Sequence, residues 1–389
     1  MTPLSVTDNL FLMLEKRQQP THIAGLQLFD FPEDAPDDYV TQFAQELRSY
    51  INPLKPFNKR LTYKFGRPYW KPDSQFDLEH HFRHVALPCP GRIRELLSLV
   101  SAEHSNLLDR ERPLWEYYLI EGIKGRRFAV YSKQHHSLMD GVSAMQVGMG
   151  IMSPDPTVRH APPVWAFNRK SRRVVGNSPA PTDTISAMGV LTSNMRKQLL
   201  GAHHVAKAVY DSLQKANKNP NYTSIFQAPQ CILNDRITGS RRFAAQSYDI
   251  ARIRAIAKAF GATLNDVVLA ISGGALRDYL LELNALPDQP LIAAVPVSLR
   301  QDDSGEGNQI VTILANLGTH VSDPARRIEI IKGSISESKQ RLASMTPQEI
   351  MAYTALMFAS AGIHMMTGLA PAWHAFNVFI LNVPGPKVP

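Results

Sequence analysis

The chain has 389 residues, 44% of them apolar and 20% charged, which exceeds what one hydrophobic core usually holds and implies two domains or three. That balance excludes a disordered chain, and only two cysteines, Cys89 and Cys231, far apart in sequence, argue against a disulfide framework or a zinc site. A net charge of +8 and a pI near 9.4 favour anionic partners such as nucleic acid, a lipid surface or a phosphorylated cofactor, without choosing among them.

The N-terminus offers one apolar run, residues 10–14, preceded by Asp8 and no basic residue, so it lacks both the charged and the long apolar region of a signal peptide. Strand-like and helix-like patterns then alternate to about residue 150, as in α/β and α+β domains. Residues 23–31 read as a strand. Residues 127–134 read as another, with Phe128, Val130 and Ser132 on one face and Ala129, Tyr131 and Lys133 on the other. Residues 38–51 and 91–107 have helical spacing; Ile93, Leu96, Leu97 and Val100 give the second a buried stripe.

From 151 to 182, Pro154, Pro156, Pro162, Pro163, Pro179 and Pro181 accompany the basic cluster Arg169, Lys170, Arg172 and Arg173, which reads as a linker. Residues 182–215 read as one or two helices. A second α/β segment, 240–389, opens with a candidate strand over 242–249 and a helix over 250–260. Thr263 and Asp266 then form a capping box before a helix reaching about residue 283. Residues 291–299 are almost continuously apolar, hence a strand buried on both faces, and 310–317 and 376–381 are further strands. Residues 350–386 contain no Asp, Glu, Lys or Arg, yet Thr354, Ser360, His364, Thr367, Gly368, Pro371 and His374 interrupt them. The stretch therefore reads as a core or interfacial helix rather than a membrane span.

One string carries chemistry: His135-His136-Ser137-Leu138-Met139-Asp140-Gly141, directly after a strand and before the helical pattern Val142, Met145, Met149, Met152. Adjacent side chains on an extended chain point to opposite faces, so one histidine faces a cavity while the other packs inward. Gly141 frees the backbone to bend where the helix begins. An unperturbed imidazole titrates at about 6.5 and suits a general base that takes a hydroxyl proton and returns it to a leaving group. A histidine pair before a helix also reads as plain capping and core, and the chain holds two controls: His80-His81 and His203-His204 both lack the Asp-Gly at the right offset. No Gly-x-Ser-x-Gly elbow, His-Glu-x-x-His or phosphate loop occurs, so those chemistries lose their usual signatures.

The string resembles the His-His-x-x-x-Asp-Gly signature of the coenzyme A-dependent acyltransferase superfamily, which includes chloramphenicol and carnitine acyltransferases and peptide-synthetase condensation domains. Further blocks follow in order: Pro113-Leu114-Trp115, Thr263-Leu264-Asn265-Asp266, Pro296-Val297-Ser298-Leu299-Arg300, Gly307-Asn308-Gln309-Ile310, Leu314-Ala315-Asn316-Leu317-Gly318 and Asn382-Val383-Pro384-Gly385-Pro386. Together they make nearly the whole chain similar to the bacterial wax ester synthase/acyl-CoA:diacylglycerol acyltransferase family. Relatives run on beyond the equivalent of Pro389, so the sequence reads as truncated there.

The resemblance implies an α/β fold with mixed, α+β sheets: two chloramphenicol acetyltransferase-like lobes, residues 1–150 and 240–389, joined by 151–239, with an active-site tunnel between them. It implies transfer of a fatty acyl group from acyl-CoA to a long-chain alcohol, giving a wax ester, with diacylglycerol as second acceptor and no permanently bound cofactor. His136 would be the general base without a covalent intermediate, His135 its support, and Asp140 a structural partner of Arg300. Gly141, Asn265, Asp266 and Asn308 would support the site; Trp115, Leu114 and Asn316 would line the substrate, although Trp115 also reads as core and the capping box explains Asn265 and Asp266 without chemistry. The basic linker and Arg126-Arg127 would meet coenzyme A phosphates or lipid headgroups, or merely solvent.

The implied setting is cytoplasmic, peripheral to the inner membrane or lipid inclusions. Nucleic acid is disfavoured because the basic residues read as scattered, without interleaved aromatics. Two alternatives stay open: a condensation domain using carrier-protein thioesters, with no adjoining carrier module in its favour, and a lipid-inclusion coat protein that kept the fold.

Overall fold

Ser5 accepts the Asp8 N–H in its hydroxyl at 3.0 Å and so opens the first helix, α1 (Val6–Leu14), after a short strand, β1 (Thr2–Pro3). The computed structural model describes residues 1–139, 141–153, 155, 158, 161–168, 210, 219–298, 310–367 and 373–382. The chain forms two compact units: Met1–Ala180 with Ile237–Gln246 and Val388–Pro389, and Pro181–Arg236 with Ser247–Lys387.

In the first unit β2 (His22–Asp30) is followed by α2 (Tyr39–Arg48), the hairpin β3 (Lys59–Lys64) and β4 (Arg67–Pro72), α3 (Leu78–His81), β5 (Phe82–Ala86) and α4 (Ile93–Ser105). Then come β6 (Trp115–Ile123), β7 (Arg127–His135) and α5 (Gly141–Gly150). The main sheet has the order β2-β7-β6-β5; β5 and β6 run parallel and the other pairs antiparallel. Its two faces are covered by different helices. Val40, Ala44 and Leu47 of α2 join Tyr117, Leu119, Phe128 and Val130, whereas Leu96 and Val100 of α4 join Tyr118, Ile120, Ala129 and Tyr131. Both faces of β6 are therefore covered, and its residues 115–120 are all buried, Glu116 among them. A smaller sheet, β1-β4-β3, packs Leu61 and Trp70 with Leu12, Leu108 and Leu114.

The second unit contains α6 (Ile250–Ala259), α7 (Leu264–Glu282), β8 (Ile292–Ser298), β9 (Ile310–Asn316), α8 (Pro324–Ala343), α9 (Pro347–Thr367) and β10 (Val378–Phe379). Its sheet runs β10-β8-β9, with β10 parallel and β9 antiparallel to β8. Residues 291–295 are at most 1% exposed, as the unbroken apolar run requires. The capping box forms: Thr263 Oγ1 accepts the Asp266 N–H while Asp266 Oδ2 accepts the Thr263 N–H. Tyr353, Met357 and Ser360 place one stripe of α9 in the core, and among the described residues no single helix is long and apolar enough to cross a membrane.

Two expectations change. Residues 242–249 form no strand, and residues 237–246 group with the first unit. There the N–H groups of Arg241 and Phe243 donate to the hydroxyls of Ser105 and Ser101 on α4, at 2.9 and 2.8 Å. Two residues of extended chain rise about 6.6 Å and four of helix about 6 Å, so an i, i+2 pair of donors matches an i, i+4 pair of serines without any neighbouring strand. The strand expected over 376–381 shrinks to Val378–Phe379, preceded by Asn377, whose Oδ1 accepts the Ile292 N–H at 2.9 Å. The helices expected over 182–215 lie outside the described residues apart from Tyr210.

Candidate active site

Trp115 and Gln134 face each other across β6 and β7, so the hairpin brings the Pro-Leu-Trp block to the double histidine. The His135 N–H donates to Leu114 O at 3.0 Å and the His136 N–H to Thr21 O at 3.0 Å, which holds the motif between the two chains on either side. Their separation in sequence is simply the length of that hairpin.

The two imidazoles are treated differently. His135 is fully buried. Its Nδ1 receives the Ser137 N–H at 3.1 Å and lies 2.6 Å from Ser137 Oγ; its Nε2 lies 2.9 Å from Thr21 Oγ1 and 3.4 Å from Glu15 Oε1. Thr21 Oγ1 in turn donates to Phe11 O at 3.1 Å, so it accepts from His135. Both ring nitrogens of His135 are therefore engaged, Nδ1 by Ser137 and Nε2 by Thr21 and Glu15. His136 is half-buried, its ring stacked on Phe11 at 4.1 Å and 15°, and its Nδ1 has no hydrogen-bond partner among the described residues. One imidazole is thus held at both nitrogens, and the other is held by stacking.

Behind them stands a group that sequence reading missed. Glu15, at the end of α1, takes Arg110 at 2.9 and 3.1 Å on Oε2 while its Oε1 faces His135 and the Thr21 N–H. Burial works against its charge, but the hydrogen bond and charge attraction from His135, together with the ion pair to Arg110, outweigh it and hold the carboxyl down at about 2. Phe11 and Glu15 are one helical turn apart, so α1 supports both histidines at once. The only sequence signal was the Ser5 cap before an apolar run.

The other expected residues separate clearly. Trp115 is 2% exposed, donates its indole N–H to Phe57 O at 2.8 Å and stacks between His81 and Trp165; Leu114 is 0% exposed. Both are packed core and offer no side-chain surface to a substrate. The control histidine His81 belongs to that stack, and burial lowers its imidazole to about 4. Gly141 starts α5 without a left-handed φ, and a Cβ there would meet nothing within 4 Å, so no backbone bend demands glycine.

Asp266 is buried in its capping box, with Oδ1 unpartnered among the described residues, and Asn265 Oδ1 accepts from Asn382 at 3.3 Å. Asn316 accepts the Gly318 N–H at 2.9 Å and so shapes the turn into that left-handed glycine, where a Cβ would strike the Arg327 side chain at 2.9 Å. Arg126 reaches Asp37 and Ala35 O, and Arg127 reaches Lys124 O, all in exposed contacts. Asp140, Arg300 and Asn308 lie outside the described residues, as do the linker cluster and Pro384-Gly385.

An apolar cavity of about 610 Å³ opens within the first unit, lined by Phe29, Tyr39, Phe43, Phe128, Val130 and Met152 among others. It is of the size that holds small molecules, and Met152 stands just past the end of α5, the helix that starts at the motif. Among the described residues no group of three His, Cys, Asp or Glu could hold a metal ion.

Comparison with known proteins assigns the chain to a family. Residues 4–268 match the model of the wax ester synthase/diacylglycerol acyltransferase catalytic domain, and residues 306–389 match the C-terminal domain of the same family. An O-acyltransferase, WSD, of Acinetobacter baylyi is 46% identical over 100% of this chain and 83% of its own length. A putative diacylglycerol O-acyltransferase of Mycobacterium bovis is 39% identical over 98% of this chain and 84% of its own. The solved wax ester synthase/diacylglycerol acyltransferase of Marinobacter aquaeolei VT8 superposes with a TM-score of 0.78 at 49% identity, covering 99% of this chain and 83% of that one. The first condensation domain of the calcium-dependent antibiotic synthetase, at 15% identity and a TM-score of 0.51, shares the fold alone. The chain thus belongs to the wax ester synthase/diacylglycerol acyltransferase family and is an acyltransferase of that type.

Proposed function

We propose that the protein transfers a fatty acyl group from acyl-CoA to the hydroxyl of a long-chain alcohol, with diacylglycerol as second acceptor, and that His136 is the general base. His136 takes the hydroxyl proton as the oxygen attacks the thioester carbonyl. The tetrahedral species expels coenzyme A thiolate, and the proton passes from His136 to the sulfur. No bond to the protein forms at any stage, and no resident cofactor takes part. His135 is a positioning residue: buried and held at both nitrogens, it fixes the strand end from which His136 projects. The apolar cavity, about 15 Å from the motif along the ten residues of α5, offers a place for an acyl or alkyl chain.

The observation that carries this reading is the asymmetry of the two imidazoles, one engaged at both nitrogens and one stacked, with its Nδ1 unpartnered among the described residues. Thiol release from palmitoyl-CoA with hexadecanol tests it. His136→Ala is expected to lose about 10²–10⁴ in turnover, the usual contribution of a positioned base, while keeping the wild-type melting temperature. A folded His136→Ala protein that still releases thiol at the wild-type rate overturns the assignment. Replacing hexadecanol by diacylglycerol in the same assay ranks the acceptors.

A further inference from the structure

The β3–β4 hairpin breaks three local rules at one place. Near its base Leu61 and Trp70 face each other and are 3% and 7% exposed against the core. Two residues further on the same face, Tyr63, opposite Pro68, is 59% exposed, and Phe65 in the turn is 95% exposed. At about 3.3 Å per residue the tip stands roughly 13 Å beyond Leu61. The turn residues Phe65 and Gly66 have φ of 51° and 73°, the left-handed pair of a type I′ turn, where Asn-Gly is the usual choice and a bulky side chain is a steric misfit. Directly behind the turn Lys64 and Arg67 face each other, and like charges across a strand pair repel.

The charge on the hairpin is basic, apart from Asp73 at its base, whose side chain is buried and pairs with Arg60 at 3.5 Å. Residues 59–72 hold Lys59, Arg60, Lys64, Arg67 and Lys71 and no Asp or Glu, and Lys64 Nζ lies 5.8 Å from the Phe65 ring centre. The hairpin corrects the view that basic residues are scattered without aromatics: Tyr63, Lys64, Phe65 and Arg67 are neighbours on one projecting tip.

We propose that this tip docks the protein on an anionic lipid surface. Phe65 and Tyr63 enter the layer between headgroups and acyl chains, and Lys64 and Arg67 meet the headgroup phosphates. Each feature that is unfavourable in water becomes favourable there: the exposed ring leaves water, and the negative surface relieves the repulsion between the two cations. Strain and broken local rules persist where a function compensates for them. A duplex nucleic acid fits less well, because its affinity grows with many backbone contacts along a groove and a hairpin tip presents few. The proposal goes beyond acyl transfer and does not depend on it, since docking is read without turnover.

The test sediments the purified full chain with phosphatidylcholine vesicles and with vesicles that also contain phosphatidylglycerol. Binding is expected on the anionic vesicles, weakening as salt rises. Replacing both cations, Lys64→Gln with Arg67→Gln, is expected to weaken it roughly fivefold per charge removed. Phe65→Asn is expected to weaken vesicle binding while the melting temperature holds or rises, because Asn-Gly suits the turn; that opposite movement separates lost docking from lost folding. Thiol release from soluble acyl-CoA with a short-chain alcohol should stay at the wild-type rate in both variants. Undiminished binding of both variants to the anionic vesicles overturns the proposal. So does a loss of duplex DNA binding in these variants with vesicle binding retained, which assigns the tip to nucleic acid instead.

Discussion

Thr21 serves both histidines through different atoms: its carbonyl takes the His136 N–H and its hydroxyl takes the His135 Nε2–H before donating to Phe11 O. Thr21→Val keeps the shape and the carbonyl but removes the hydroxyl. It leaves a buried N–H facing only the 3.4 Å contact to Glu15 and a helix carbonyl without its donor. An unmet buried donor costs about 1–3 kcal/mol, so urea denaturation should show a loss of that order. Because Thr21 acts through the histidines and not on the substrate, kcat is expected to fall while KM stays within about twofold; equal changes in both would contradict a positioning role. The histidine pair was legible in the sequence because its seven residues are contiguous. Thr21, Glu15 and Phe11 were not, since Thr21 lies 114 positions from the ring it contacts and nothing local marks it as a partner.

At the scale of elements, β7 carries a cation into the core. Lys133 is 0% exposed; its Nζ lies 2.8 Å from Glu116 Oε2, its cross-strand neighbour, and donates to Glu103 O and Asn106 O at the end of α4. The strand thereby ties itself to β6 and caps the carbonyl end of a helix. Removing one member of a buried pair strands the other, so Lys133→Met is expected to destabilise the protein by about 3–5 kcal/mol. Adding Glu116→Gln should recover part of that loss, because the stranded charge goes too; chemical denaturation of both variants at pH 7.5 measures it. The alternation over 127–134 correctly put Lys133 on the face of Ala129 and Tyr131, yet alternation cannot say that this face is covered. It failed outright over 242–249, where helix serines satisfy the extended backbone in place of a neighbouring strand.

For the molecule as a whole, burial of titrating groups sets the response to acid. Burial lowers His22 and His81 to about 4, from about 6.5 when exposed, and Glu15 is held at about 2. Between pH 6.5 and 4 the unfolded chain binds protons that the folded chain refuses, so stability is full above about 6.5 and declines as pH falls toward 4. Glu15 adds a further loss below its unfolded value, about 4.5, as pH falls toward 2. Urea midpoints at pH 7.5, 6.0 and 5.0 should therefore decrease in that order, and a flat profile would contradict the buried neutral histidines.

What the sequence determined by itself was whatever short range decides: strand periodicities such as that of 127–134, the capping box at Thr263, the strand expected over 291–299 and buried over 291–295, and the contiguous histidine motif with its family resemblance. These depend on neighbours a few positions apart, where backbone geometry permits few alternatives. Tertiary structure alone decided which histidine is held at both ring nitrogens and which is stacked, that Trp115 is core, and that Glu15, paired with Arg110, stands beside His135. It also decided that Phe65 projects into water. Each of these is a matter of burial and of partners distant in the chain, and burial is a property of packing that no local pattern contains.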